Sequence, residues 1–138
     1  MFSQIRKNAV ALISLMVAIS ALTYTAWREE RTEKNRTLRA AGFELLKNLG
    51  ELQLIVNYRH YQPENSMGNP IVGWGHVAII SDMSQILPSP LPEKIDLLVA
   101  AWKNNWEKIK TDGESVDQIS QEIDLSREAV LHLLLGLN

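Results

Sequence analysis

Nineteen consecutive residues, Ala9 to Trp27, carry no charge and are mostly Ala, Val, Leu, Ile and Met. As a helix rising about 1.5 Å per residue, such a run spans roughly 28 Å, close to the thickness of a bilayer core. Arg6 and Lys7 precede it and Arg28 closes it, while Tyr24 and Trp27 occupy the distal end, where amphipathic rings favour the membrane–water interface. The pattern predicts a short cytoplasmic tail over 1–8, a transmembrane anchor over 9–27 and a charged juxtamembrane helix over 28–37. A cleaved signal peptide is the rival reading, but cleavage wants small residues at −3 and −1. Cuts after Ala26 or Ala21 put Tyr24 or Ile19 at −3, and only a cut after Thr23 is tolerable. A retained anchor is therefore expected.

Beyond the anchor, the periodicity becomes helical and one-sided. No proline interrupts the chain from Arg28 to Tyr61, and Glu30 with Lys34 forms an i,i+4 pair in the favoured order. Leu38, Gly42, Leu45, Leu49, Leu52 and Val56 recur at spacings of four and three, which marks one helix face. Gly42 and Gly50 lower helicity and are expected to permit close helix approach. The anchor and this helix are expected to be able to run on as one.

Gln62 to Gly68 is the clearest loop, and Asn69-Pro70 has the form of an N-cap followed by a first helical residue. The stretch Ile71 to Leu87 is ambiguous. Ile71-Val72-Gly73-Trp74-Gly75 suits an extended segment or a short hairpin, whereas His76, Ile79, Ile80, Met83, Ile86 and Leu87 follow helical spacing, and a helix is the expectation. After Pro88, Pro90 and Pro92, the residues Ile95, Leu98, Val99, Trp102, Trp106 and Ile109 make the best amphipathic helix in the chain, ended by Asp112-Gly113. Ser115 and Gln118 then suggest a capping box for a last helix with Val116, Ile119, Ile123, Val130, Leu134 and Leu137 inward. The fold class expected is all-α: one transmembrane helix followed by a small antiparallel helical bundle over 38–138.

Charge sharpens this picture. Residues 1–62 hold nine Lys/Arg against five Asp/Glu, a net +4, and residues 63–138 hold five against eleven, a net −6. A basic membrane-proximal half suits anionic lipid head groups. An acidic distal half argues against nucleic acid, which is held by clustered Lys and Arg. The absence of cysteine excludes disulfides, thiolate catalysis and cysteine-based zinc sites together. Orientation follows the short charged tail, which places the soluble domain outside the cytoplasm, in a periplasmic position. Arg28, Arg31, Lys34, Arg36 and Arg39 on the other flank pull the opposite way.

Candidate chemistry is sparse. Ser115 to Leu137 resembles a helix-turn-helix of DNA-binding regulators, with Val116 to Ser120 as first helix and Asp124 to Val130 carrying the turn and the start of a recognition helix. The usual turn glycine is missing, and only Arg127 and His132 could contact DNA, so an ordinary amphipathic helix is expected. Of His60, His76 and His132, His60 has a carboxylate at i+4 only across Pro63, which breaks the helix, and His76 lies six residues before Asp82; no metal or cofactor is expected. Gly68, Gly73 and Gly75 make no phosphate loop, and no nucleophile-elbow motif supports an enzyme. The most unusual local composition is Tyr58-Arg59-His60-Tyr61 together with Gly73-Trp74-Gly75-His76. Aromatics and Arg are enriched where proteins meet partners. Tyr58, Arg59, His60, Tyr61, Trp74, His76 and Trp106 are therefore the candidate interaction surface, set against the plainer reading of a loop packed by its own aromatics. The function expected is a membrane-anchored helical interaction or scaffold module in a cell-envelope assembly, with the lipid bilayer and a protein partner or further copies of the chain as its contacts. The alternative is a small-ligand-sensing domain acting through a membrane partner.

Overall fold

The computed structural model describes residues 2–137, with side chains from residue 8 onward. Met1 and the side chains of Arg6 and Lys7, on which the expected orientation of the tail rests, lie outside the described residues. The described residues form four α-helices: α1 Phe2–Tyr61, α2 Pro70–Ser84, α3 Leu91–Asn105 and α4 Gly113–Gly136, with a 3-10 turn at Ser66–Gly68. No strand occurs among the described residues, so the all-α architecture expected from periodicity is the one formed. Two compact units divide the chain, residues 1–36 and 37–138.

The first unit is a length of α1 alone. Its large apolar side chains, among them Val10, Leu15, Met16 and Leu22, are more than half exposed. It contains a span long and apolar enough to cross a membrane, none of it buried against protein. Two threonine hydroxyls in this span are satisfied within the helix. The Thr23 hydroxyl donates to the Ile19 carbonyl at 2.8 Å and Thr25 to Ala21 at 2.9 Å, the arrangement that apolar surroundings require of a hydroxyl. At the polar end, the Tyr24 and Trp27 rings lie 6.3 Å apart, and the Arg31 guanidinium stands 5.8 Å from the Trp27 ring centre.

The second unit packs residues 37–61 of α1 with α2, α3 and α4. Leu45, Leu49, Leu52 and Val56 of α1 are fully buried, as the stripe predicts. They meet Ile80 of α2, Ile95, Leu98 and Trp102 of α3, and Ile119, Ile123 and Val130 of α4 in one core. Cross-chain contacts fix the directions. Gly42 lies against Leu134, Gln53 donates to the Ser120 hydroxyl at 3.0 Å, and the Arg39 guanidinium donates to the Leu137 carbonyl, so α1 and α4 run antiparallel. Asn105 donates to Gln118 at 3.0 Å across the short α3–α4 connection.

Several local expectations are corrected. The inward face of α2 is Gly73, Val77, Ile80 and Ser84, with Leu87 buried just past its end, while Ile79 on the helix and Ile86 beyond it are exposed. Almost every face of α2 is apolar, so periodicity had too little contrast to select one. Helix α3 ends at Asn105 rather than at Asp112, because the chain tightens into successive i to i+3 turns, with Lys108 N–H on Asn105 and Thr111 N–H on Lys108. Ile109 stays fully buried although it lies outside the helix. The cap of α4 is Asp112, whose carboxylate accepts from the backbone N–H of Glu114 and Ser115, each at 3.3 Å, and from the Ser115 hydroxyl. Ser115, expected as the cap, is already inside the helix. Of the two glycines expected to permit close approach, Gly42 does so, whereas a Cβ on Gly50 would meet only the Arg127 guanidinium at 3.8 Å.

Candidate interaction surface

Helix α4 runs without a break through Asp124, Leu125 and Ser126, where a helix-turn-helix would bend. Ser126 is fully buried and donates to the Glu122 carbonyl at 2.7 Å, holding that segment helical. The resemblance to DNA-binding regulators therefore does not extend to the fold.

The residues singled out from composition fall in three places. The first is the α2–α3 seam. Asn69 caps α2 by accepting from the Ile71 N–H at 2.9 Å, and Pro70 opens the helix, which directs Trp74 toward α3. There Trp74 meets Trp102 at 6.2 Å and Trp106 at 6.1 Å, both edge to face. Trp102 is fully buried and Trp74 and Trp106 are half-buried. The Trp102 indole lies across Gly73, where a Cβ would come within 2.4 Å of the ring. Its Nε1–H finds no hydrogen-bond partner among the described residues, so area and shape rather than hydrogen bonding hold the ring.

The second place is the end of the bundle, where α1 stops. His60 Nδ1 lies 2.7 Å from the Ile109 carbonyl, and a carbonyl only accepts, so Nδ1 carries a hydrogen there. Tyr61 packs edge-on against His60 at 4.7 Å and is 73% exposed. Tyr58 and Arg59 are half-buried beside the 3-10 turn, because Gly68 lies so close to the Arg59 backbone that no Cβ fits.

His76 occupies the third place. Two residues on from Trp74, it points to the opposite flank of α2. Its Nδ1 lies 2.9 Å from Asn48 Oδ1, and Asn48 in turn donates to the backbone carbonyl and the carboxylate of Glu44. This line of polar groups fixes the ring and bridges α1 to α2. Trp74 and Trp106 thus share a seam, Tyr58 to Tyr61 flank one end, and His76 stands apart.

Sequence reasoning passed over the outward side of α2. Ile71 is 76% exposed, Val72 50%, Ile79 45% and Ile86 62%. The helical spacing of Ile79, Ile80, Met83, Ile86 and Leu87 does not separate the inward residues from the outward ones. Among the described residues, no group of three or more His, Cys, Asp or Glu could hold a metal ion. Grooves beside Tyr24 to Glu33 run along a single helix and have no opposing wall.

No protein-family model, curated protein or solved structure matches this chain.

Proposed function

We propose that the chain is a membrane-anchored helical interaction module of a cell-envelope assembly, with its bundle outside the cytoplasm. The observation that carries the reading is the first unit of α1: an uncharged helical span with outward apolar side chains, ending in interfacial aromatics and a run of arginines. A bundle tethered in this way acts on what it meets at the membrane. Its α2–α3 seam offers Trp74 and Trp106, two partly exposed indoles braced by a buried third, the kind of rigid aromatic surface that anchors protein contacts. Affinity purification from gently solubilised membranes tests this. The wild type should retain a specific companion that Trp74→Ala/Trp106→Ala loses, while the variant stays in the membrane fraction. Release of the wild type by a carbonate wash defeats the anchor, and equal recovery of companions by both proteins defeats the surface.

A further inference from the structure

Residues 28–36 of α1 follow directly on the apolar span and set Arg28, Arg31, Lys34 and Arg36 against Glu29, Glu30 and Glu33. Their net charge is only +1, so composition alone gives this stretch little pull on an anionic surface. The arrangement matters more than the sum. At about 100° per residue, Arg28, Arg31 and Arg36 fall within an arc of about 140° of the helix circumference, and the three glutamates within about 100° on the other side. Arg28 and Arg31, three residues apart, are neighbours on their face. Trp27 and Tyr24 flank them there, with the Arg31 guanidinium 5.8 Å from the Trp27 ring centre and the two rings 6.3 Å apart. All three arginines are exposed, and among the described residues no ion pair ties them to a glutamate. Arg39, further along, is already engaged with the Leu137 carbonyl.

We propose that this arginine face binds the headgroups of net-anionic phospholipids, with the glutamate face turned away from them; this rests on the reading of the chain as membrane-anchored. Given the anchor, the occupant follows from position. Counting about 1.5 Å per residue from Trp27, Arg28 stands about 2 Å, Arg31 about 6 Å and Arg36 about 14 Å further along the helix. The headgroup layer on each side of a bilayer is about 5–8 Å deep. Its charge is felt for about 8–10 Å beyond. Arg28 and Arg31 therefore lie among lipid phosphates, and Arg36 lies within their field. A guanidinium takes a phosphate through two parallel hydrogen bonds, and the Trp27 ring holds that of Arg31 in place to do so. An acidic protein would have to enter the headgroup layer to reach the same two side chains. Glutamates on this face would cancel the attraction. They stand opposite, so a tilt that lowers the arginines toward the lipid lifts the glutamates from it.

Lipid selectivity of the full-length chain tests this, in phosphatidylcholine vesicles carrying a trace of phosphatidylglycerol or phosphatidylcholine spin-labelled on the acyl chain. Electron paramagnetic resonance reads the fraction of label held at the protein. At low ionic strength phosphatidylglycerol should associate roughly fivefold more strongly than phosphatidylcholine. Salt at about 1 M, where the Debye length is about 3 Å, should remove most of that preference. Exchanging one pair of charges, Arg31→Glu with Glu33→Arg, keeps composition and net charge but mixes the two faces, and most of the preference should be lost. Arg28→Glu with Glu30→Arg should act alike, and takes its place if the first exchange lowers helix content by circular dichroism. Equal association of the two lipids with the wild type overturns the inference and leaves the anchor standing. A preference that survives both exchanges also overturns it, since net charge would then account for the binding. A wild type that does not float with pure phosphatidylcholine vesicles defeats the anchor, and this inference with it.

Discussion

At the scale of single residues, two glycines separate what sequence can and cannot tell. Gly50 and Gly73 look alike in the sequence, each a helix-weakening residue within an apolar pattern. In the structure, Gly73 is pressed on by the Trp102 indole and by Ile55, and a Cβ would overlap the ring. Gly73→Ala should therefore destabilise the bundle by about 1–3 kcal/mol, the usual cost of overpacking. Gly50→Ala meets only a flexible arginine at 3.8 Å, so it should raise stability by up to about 1 kcal/mol through helix propensity. Denaturant melts of the two variants check both signs. The glycine that matters was legible as a helix breaker but not as a contact, because its neighbour lies on another helix, far away in the chain. Asp112 gives a pH test. The Ser115 hydroxyl and then the Glu114 and Ser115 N–H groups hold its carboxyl below the ordinary range, against an opposing effect of burial. Its contribution is therefore present above the ordinary carboxylate pKa and is lost as pH falls through the lowered value. Glu93 behaves alike, held down by its own backbone N–H and by Ser89. Asp112→Ala should lower the melting temperature at neutral pH, and its deficit should shrink at strongly acidic pH.

At the scale of elements, legibility followed contrast. α1 beyond residue 37 and α3 each carry one apolar face among charges, and their buried residues are largely those the spacing predicts. α2 has apolar residues on nearly every side, so the existence of a helix could be read but not its orientation. α4 was placed, yet its start was misread by three residues, since Asp112 and Ser115 are both good caps and only the fold shows which carboxylate or hydroxyl faces the free N–H groups. The α3 tryptophans turn the same distinction into a measurement. Trp102 is wholly buried between Gly73 and Trp74, whereas Trp106 keeps an edge outside. Trp102→Ala should cost about 3–5 kcal/mol, as large-to-small changes in a packed core do. Trp106→Ala should cost clearly less and, under the proposed function, lose the companion protein. Equal and severe unfolding of both variants would return Trp106 to the core.

At the scale of the whole molecule, the division of labour between the two units makes its own prediction. Every buried hydrophobic residue of the core lies at Ala41 or beyond, and none belongs to residues 8–36. Long-range bonds from Arg39 and Gln53 tie α1 to α4 after residue 37. Among the described residues, the core of the second unit is thus built from residue 41 onward, and none of the apolar span of the first is buried. A chain that begins at Thr37 should accordingly stay helical and melt in one cooperative transition, with Leu98→Ala costing about 2–5 kcal/mol within it. The same truncated chain should leave the membrane fraction. These outcomes are separable by circular dichroism and fractionation on one preparation. A coil spectrum would mean that residues before 37 help to fold the bundle. A folded chain that still partitions with membranes would assign membrane affinity to the bundle surface, with the outward face of α2 the first place to look.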